Sequence, residues 1–101
     1  MQVRLLTEAS ADLDSIAEYI GQNNPRRARS FIHELRQKIF GLSTMAASFR
    51  VVPRYAASEL RRRVHDPYQI FYIADVELGV VHVVRVLHSA RDTDPLLVRY
   101  E

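Results

Sequence analysis

The sequence predicts an α+β fold: an N-terminal strand, then an antiparallel helical hairpin packed on one face of an antiparallel β-sheet. Three observations lead there. Apolar residues recur at the helical period between residues 7 and 42. Beyond residue 60 the chain turns to alternating, β-branched segments bounded by turn residues. The links between those segments are short, as an antiparallel meander requires.

Residues 2–6 hold Val3, Leu5 and Leu6 and read as a first strand. Thr7 is placed to cap the following helix, with Glu8 favourable in its first turn. Leu13, Ile16, Ala17 and Ile20 then form one apolar stripe, with Asp12, Asp14, Ser15 and Glu18 off it. Gly21 is read as the stop, where a left-handed residue is wanted. Asn24 caps a second helix that has Pro25 at its first position. Its stripe is Ala28, Phe31, Ile32, Leu35, Ile39 and Leu42. Each stripe is too narrow to bury itself against the other alone, so both helices must cover a sheet. Residues 43–58 read as a loop, since Pro53 argues against a central strand. Residues 60–65 and 68–74 are strands around an Asp66-Pro67 turn. Residues 80–87, rich in valine, follow a second turn as a central strand. Helices on one face leave the other face open for function.

Length bounds the chain to one domain over residues 1–101. Without cysteine there are no disulfides or thiolate metal sites, and no oxidising compartment is needed. The N-terminus has no apolar core of a signal peptide and no run reaches membrane length, so a cytoplasmic location is expected. Net charge is only +2, but 13 of the 14 basic residues are arginine. Five of them (Arg50, Arg54, Arg61, Arg62, Arg63) fall between Phe49 and Val64 against one acid, Glu59. Arginine makes planar, bidentate contacts with carboxylate and phosphate, so this cluster reads as a docking surface for an acidic peptide or a phosphate backbone.

Alternation puts Leu60, Arg62 and Val64 on one side of their strand and Arg61, Arg63 and His65 on the other. With Leu60 and Val64 under the helices, Arg61 and Arg63 would project onto the open face. Arg62 would then need an acid partner, for instance on the first helix, or a snorkelled position at the sheet edge. In the last strand, Val81, Val83 and Leu87 share a side with Arg85, and Val80, Val84 and Val86 share one with His82 and His88. His88 and Arg91 fall where this strand runs into a loop, over the open face. No histidine has a chelating neighbour, so no metal or other cofactor is expected. RNA cleavage would need proton carriers, for which His65 or His88 would serve, and cations from Arg61, Arg63 and Arg91. Arginines that only bind require fewer coincidences.

An ordered set of segments carries a family resemblance across nearly the whole chain. It comprises Ala11-Asp12-Leu13-x-x-Ile16-x-x-Tyr19-Ile20, Asn24-Pro25-x-x-Ala28, Leu60-Arg61, Tyr68-Gln69-Ile70-Phe71-Tyr72 and Val86-Leu87-His88-x-x-Arg91-Asp92. The chain resembles the ParE/RelE superfamily, the toxins of bacterial type II toxin–antitoxin pairs that include plasmid stabilisation proteins. The resemblance implies the same RelE/ParE-like fold. It also implies one of two activities. RelE-like members cleave mRNA on the ribosome with basic sheet residues and a tyrosine or histidine near the C-terminus. ParE-like members poison DNA gyrase. Gln69 stands where RelE-like members often have arginine, and Pro95-Leu96-Leu97 where their tyrosine would fall, with Tyr100 out of register. The expectation is therefore a gyrase poison that acts by binding, is no enzyme, and is neutralised by a ParD-like or other antitoxin. Arg61, Arg62 and Arg63 would meet the antitoxin, and His88, Arg91 and Asp92 the target, with no sequence-specific nucleic-acid binding. Endoribonuclease activity through Arg61, Arg63, His88 and Arg91 is the alternative, and a non-toxic binding module the second.

Overall fold

A computed structural model describes residues 1–101. Strand β1 (Gln2–Leu5) leads into helices α1 (Thr7–Gly21) and α2 (Pro25–Phe40), a short helical turn α3 (Leu42–Met45), and strands β2 (Arg61–His65), β3 (Tyr68–Asp75) and β4 (Val80–His88). A last helical turn, α4 (Asp94–Leu97), closes the chain with a 3₁₀ turn at Val98–Tyr100. The sheet order is β1-β4-β3-β2. Strands β2, β3 and β4 form the predicted meander, while β1 joins β4 in parallel, Gln2 beside Val80 and Leu5 beside Val83, so the sheet is mixed.

The α2 start follows the sequence: Asn24 Oδ1 accepts the Arg27 N–H at 3.0 Å, with Pro25 at the first helical position. The α1 ends do not. Thr7 is already helical, and the residue before it, Leu6, offers no side-chain cap. Gly21 is not left-handed; Gly79, at φ 67°, is the glycine that uses this freedom, in the β3–β4 turn. Residues 43–58 are more ordered than a loop. Val51 bridges to Arg61, and a 3₁₀ turn at Pro53–Ser58 buries Tyr55.

The core is double. On the helix side, Leu13 and Ile16 of α1 and Phe31, Leu35 and Ile39 of α2 pack on Ile70, Tyr72, Val81, Val83 and Val86. Tyr72 is buried there, and its hydroxyl donates to the Ala46 carbonyl at 2.6 Å. The opposite sheet face, expected to be open, carries a second cluster of Tyr55, Leu60, Phe71, Val84, Leu87 and Leu97. The α4 segment lies over this face through Leu97, which is fully buried. Because this face is also apolar, Leu60 packs into it rather than under the helices, Val64 is left 50% exposed, and Arg61 and Arg63 turn toward the helix side. A bulge in β4 corrects the other alternation. Phe71 pairs with Arg85 and Tyr72 with Val83, leaving Val84 unpartnered. Val86 therefore returns to the side of Val81 and Val83, while Leu87 faces the second cluster.

Candidate functional site: a basic aromatic groove

The end of α1, the start of α2, the β2–β3 turn and the end of β4 meet at one end of the molecule. Four rings line up there. The His65 and Phe31 centroids are 5.1 Å apart, Phe31 and Tyr68 5.6 Å, and Tyr68 and His88 5.0 Å. The Arg27 guanidinium lies 5.1 Å over the Phe31 ring and pairs with Glu34 at 2.6 Å. That bond is the main reason the Glu34 carboxyl is held below its ordinary value; Arg27's charge and the His65 contact at 3.2 Å add to it against the opposing effect of desolvation.

Beside these rings runs an open groove of about 650 Å³, bordered by Tyr19, Phe31, Tyr68 and His88 with Arg27 and Arg91 at its rims. A narrower depression continues it toward Asp12 and Ser15. Tyr19 is 70% exposed although it is a large ring. Burial pushes the Tyr68 phenol above its ordinary value, with Tyr19 adding to the effect. Nδ1 of His88 accepts the Ala90 N–H at 3.0 Å, which puts the proton of the neutral ring on Nε2. The Arg91 N–H donates to the His88 carbonyl at 3.0 Å, so both residues are set by one turn. His88 and Arg91 thus lie together, but in this helix-side groove rather than over the opposite sheet face. Asp92 is exposed beside them and accepts the Asp94 N–H at 3.3 Å.

The arginines of β2 have diverged. Arg61 donates to the Phe49 carbonyl. Arg63 donates to the Lys38 carbonyl at 2.9 Å and lies 4.7 Å over the Phe49 ring. That carbonyl belongs to the last turn of α2, where the helix dipole favours a cation. Lys38 in turn donates to the Val64 carbonyl at 3.3 Å, cross-tying helix and strand. Arg62 is exposed and holds Gln69 at 3.0 Å; it makes no pair with α1. Within the sheet, the arginine paired with an α1 acid is Arg85, whose Nε and Nη2 both reach Asp12 at 2.8 Å. This bond is what mainly holds the Arg85 guanidinium above its ordinary value.

Arg61, Arg63, His88 and Arg91 therefore do not converge. Arg61 borders a depression of about 300 Å³ with Met1 and Glu59, and Arg63 a second of about 340 Å³ with Lys38 and His65. His88 and Arg91 border the groove. No three His, Asp or Glu side chains come together in a way that would hold a metal ion, and no helix is long and apolar enough to cross a membrane. Sequence reasoning missed Arg27, Phe31 and Pro67 as groove residues. Nothing in the helical period says which end of a buried stripe will be left unroofed.

Comparison with known proteins agrees with this architecture. Residues 3–93 match the model of the ParE toxin of type II toxin–antitoxin systems, parDE. The curated Toxin RelE2 of Caulobacter vibrioides is 39% identical over 95 residues, covering 89% of this chain and 97% of that protein. A chain of the chromosomal ParDE toxin–antitoxin system from P. aeruginosa superposes with a TM-score of 0.74 at 16% identity, covering 87% of this chain and 95% of that one, a likeness of fold. With the family's model spanning all but the ends, the chain belongs to the ParE toxin family of type II toxin–antitoxin systems.

Proposed function

We propose that this toxin acts by binding, stabilising DNA gyrase with its DNA cut, and that a cognate antitoxin neutralises it. The observation that carries the binding mode is the dispersal of the four residues a nuclease would need over three separate depressions. General acid–base cleavage needs its proton carriers and cations within hydrogen-bond reach of one phosphate. Arg61 and Arg63 are also committed to backbone carbonyls of this fold. Gyrase as target is supported by the family match and by the residues that depart from the nuclease pattern, Gln69 and Pro95-Leu96-Leu97. His88, Arg91 and Asp92 form the proposed target contact, on an exposed turn. Ribosome-dependent mRNA cleavage is the second reading, and the 39% identical Toxin RelE2 is the observation in its favour.

Purified protein incubated with gyrase and supercoiled DNA should accumulate protein-linked, linear DNA. Arg91→Ala should weaken that effect by about 1–3 kcal/mol of affinity, as for a binding residue. Transcripts cut during translation, with supercoiled DNA untouched, would overturn the proposal; Arg91→Ala would then slow cutting by orders of magnitude.

A further inference from the structure

We infer that this chain associates with itself head to tail, the β3–β4 hairpin tip of one copy, Asp75-Val76-Glu77-Leu78, seated in the basic aromatic groove of the next. The inference goes beyond the reading above and does not depend on which target the toxin has.

Turn positions ordinarily take glycine, proline, asparagine, aspartate or serine. Here Val76 and Leu78 occupy the tip, 81% and 72% exposed, and neither joins either core cluster. They are the two most exposed large apolar side chains of the molecule, and Tyr19 at the groove is the third. The tip is set in shape before any contact. The Leu78 N–H donates to Asp75 Oδ1 at 3.0 Å, and the left-handed Gly79 offers its carbonyl to the Gln2 N–H at 2.8 Å. Its charge has one sign. Asp75, Glu77 and Glu59 border a shallow depression with Ile73, Ala74 and Val76, and none of the three carboxylates takes part in an ion pair. Arg61 shares the neighbouring depression with Glu59 but is turned onto the Phe49 carbonyl.

The groove is the complement of this tip. Its floor is rings and aliphatic carbon, open enough to admit a turn. Helix α2 begins there with the positive end of its dipole and no acid in its first turn. Arg26, Arg29 and Arg91 take part in no ion pair. Two apolar side chains alternating with two carboxylates would meet rings among unpaired arginines. Phosphates, on a nucleic acid or an anionic lipid surface, would be repelled by the carboxylates of the tip. Tyr68 and Asp75 are the two ends of β3, which places groove and tip about 23 Å apart at about 3.3 Å per residue. One copy therefore cannot seat its own tip, and the contact is heterologous: each copy offers a tip to one neighbour and a groove to another. A seated tip would cover His88 and Arg91, so the toxin would mask itself as its concentration rises.

Sedimentation equilibrium of the purified full chain tests this. A single hairpin in a groove makes a small interface of the weak class, so chain concentrations from about 10 μM to about 1 mM are needed. The mass should rise above 11.7 kDa across that range. Val76→Ser with Leu78→Ser in one chain, and Tyr19→Asp in another, should each weaken association roughly tenfold or more. All three positions are exposed, and equal urea midpoints check that the fold survives. Mixing the two variants is the decisive arm. The tip variant keeps a working groove and the Tyr19→Asp variant a working tip, so the mixture should form one-to-one pairs and grow no further. A parent chain that stays at monomer mass to about 1 mM overturns the proposal, as does a tip variant that associates like the parent. A mixture that stays monomeric overturns it too, because the surfaces in contact would then be like with like.

Discussion

A carboxylate that neutralises an arginine while also closing a strand has two partners to lose. Asp12 takes both Arg85 nitrogens and, at 2.9 Å, the Val86 N–H. Strand β1 runs out where the Leu6 N–H bonds the Val83 carbonyl, so the carboxylate satisfies the next donor along β4. Both side chains are 12% exposed. Asp12→Ala should cost about 3 kcal/mol in urea unfolding, since it leaves a largely buried cation with only the longer Glu8 contact at 3.5 Å and an amide without a partner; Asp12→Asn should recover part of the loss. A titration is set by Tyr55, whose hydroxyl donates to Asp94 at 2.7 Å. Burial first, and that hydrogen bond second, push its phenol up to about 12. The folded value is raised, so its contribution to stability is complete below the ordinary value of 10.0 and is lost as pH rises toward 12. Ultraviolet titration should show a late phenolate step that Tyr55→Phe removes; an unchanged late step would refute the assignment. At this scale the alternation of β2 was legible, with Arg61, Arg63 and His65 on one side. Which side faced the helices was not, because the segment's two apolar residues, Leu60 and Val64, lie on the second apolar face and Val64 is left 50% exposed there.

Elements with a full period announced themselves, and elements shorter than one period did not. The stripes of α1 and α2 name their own buried residues, Leu13, Ile16, Phe31, Leu35 and Ile39. The α4 segment is one turn long, and its Pro95-Leu96-Leu97 gives no signal beyond two apolar residues in a tail. Yet Leu97 is what closes the second sheet face. The bulge at Val84 was hidden for a similar reason: Val80, Val81, Val83, Val84 and Val86 put valine on both sides of the strand, so a slip in alternation leaves no mark. Around Leu97 the segment is held by exposed ion pairs, Arg54 with Asp94 at 3.0 Å and with Glu101 at 2.8 Å, and Arg99 with Glu8 at 3.0 Å. Such pairs contribute little each. Leu97→Ala should therefore cost about 2 kcal/mol, the low end for a buried leucine, because the segment can detach instead of enclosing a cavity. Limited proteolysis should cut the variant after Arg91 or Arg99 faster than the parent, while strand amides keep their hydrogen-exchange protection. Equal cutting rates would mean that the tail is held by something other than this plug.

For the molecule as a whole, a net charge of +2 understates the field it presents. Arg27, Arg54, Arg85 and Arg99 are neutralised in ion pairs. Arg61, Arg63 and Lys38 are turned onto backbone carbonyls. Arg26 and Arg29, at the start of α2, and Arg91 across the groove take part in no ion pair. The densest basic run in the sequence, at Arg61–Arg63, is largely turned onto the fold's own carbonyls, while three arginines outside any ion pair sit where two distant segments meet. A field of this kind steers an acidic partner before contact, so it belongs to the association rate. Replacing Arg26 and Arg29 with glutamine should slow association with an acidic antitoxin segment several-fold at about 0.1 M salt and leave dissociation nearly unchanged. At about 1 M salt, where the screening length falls to about 3 Å, the two proteins should associate at the same rate. Stopped-flow fluorescence at the two salt concentrations reads this directly. A difference that persists at high salt would mean that these arginines touch the partner in the encounter's transition state, and that the field at this end does not guide it.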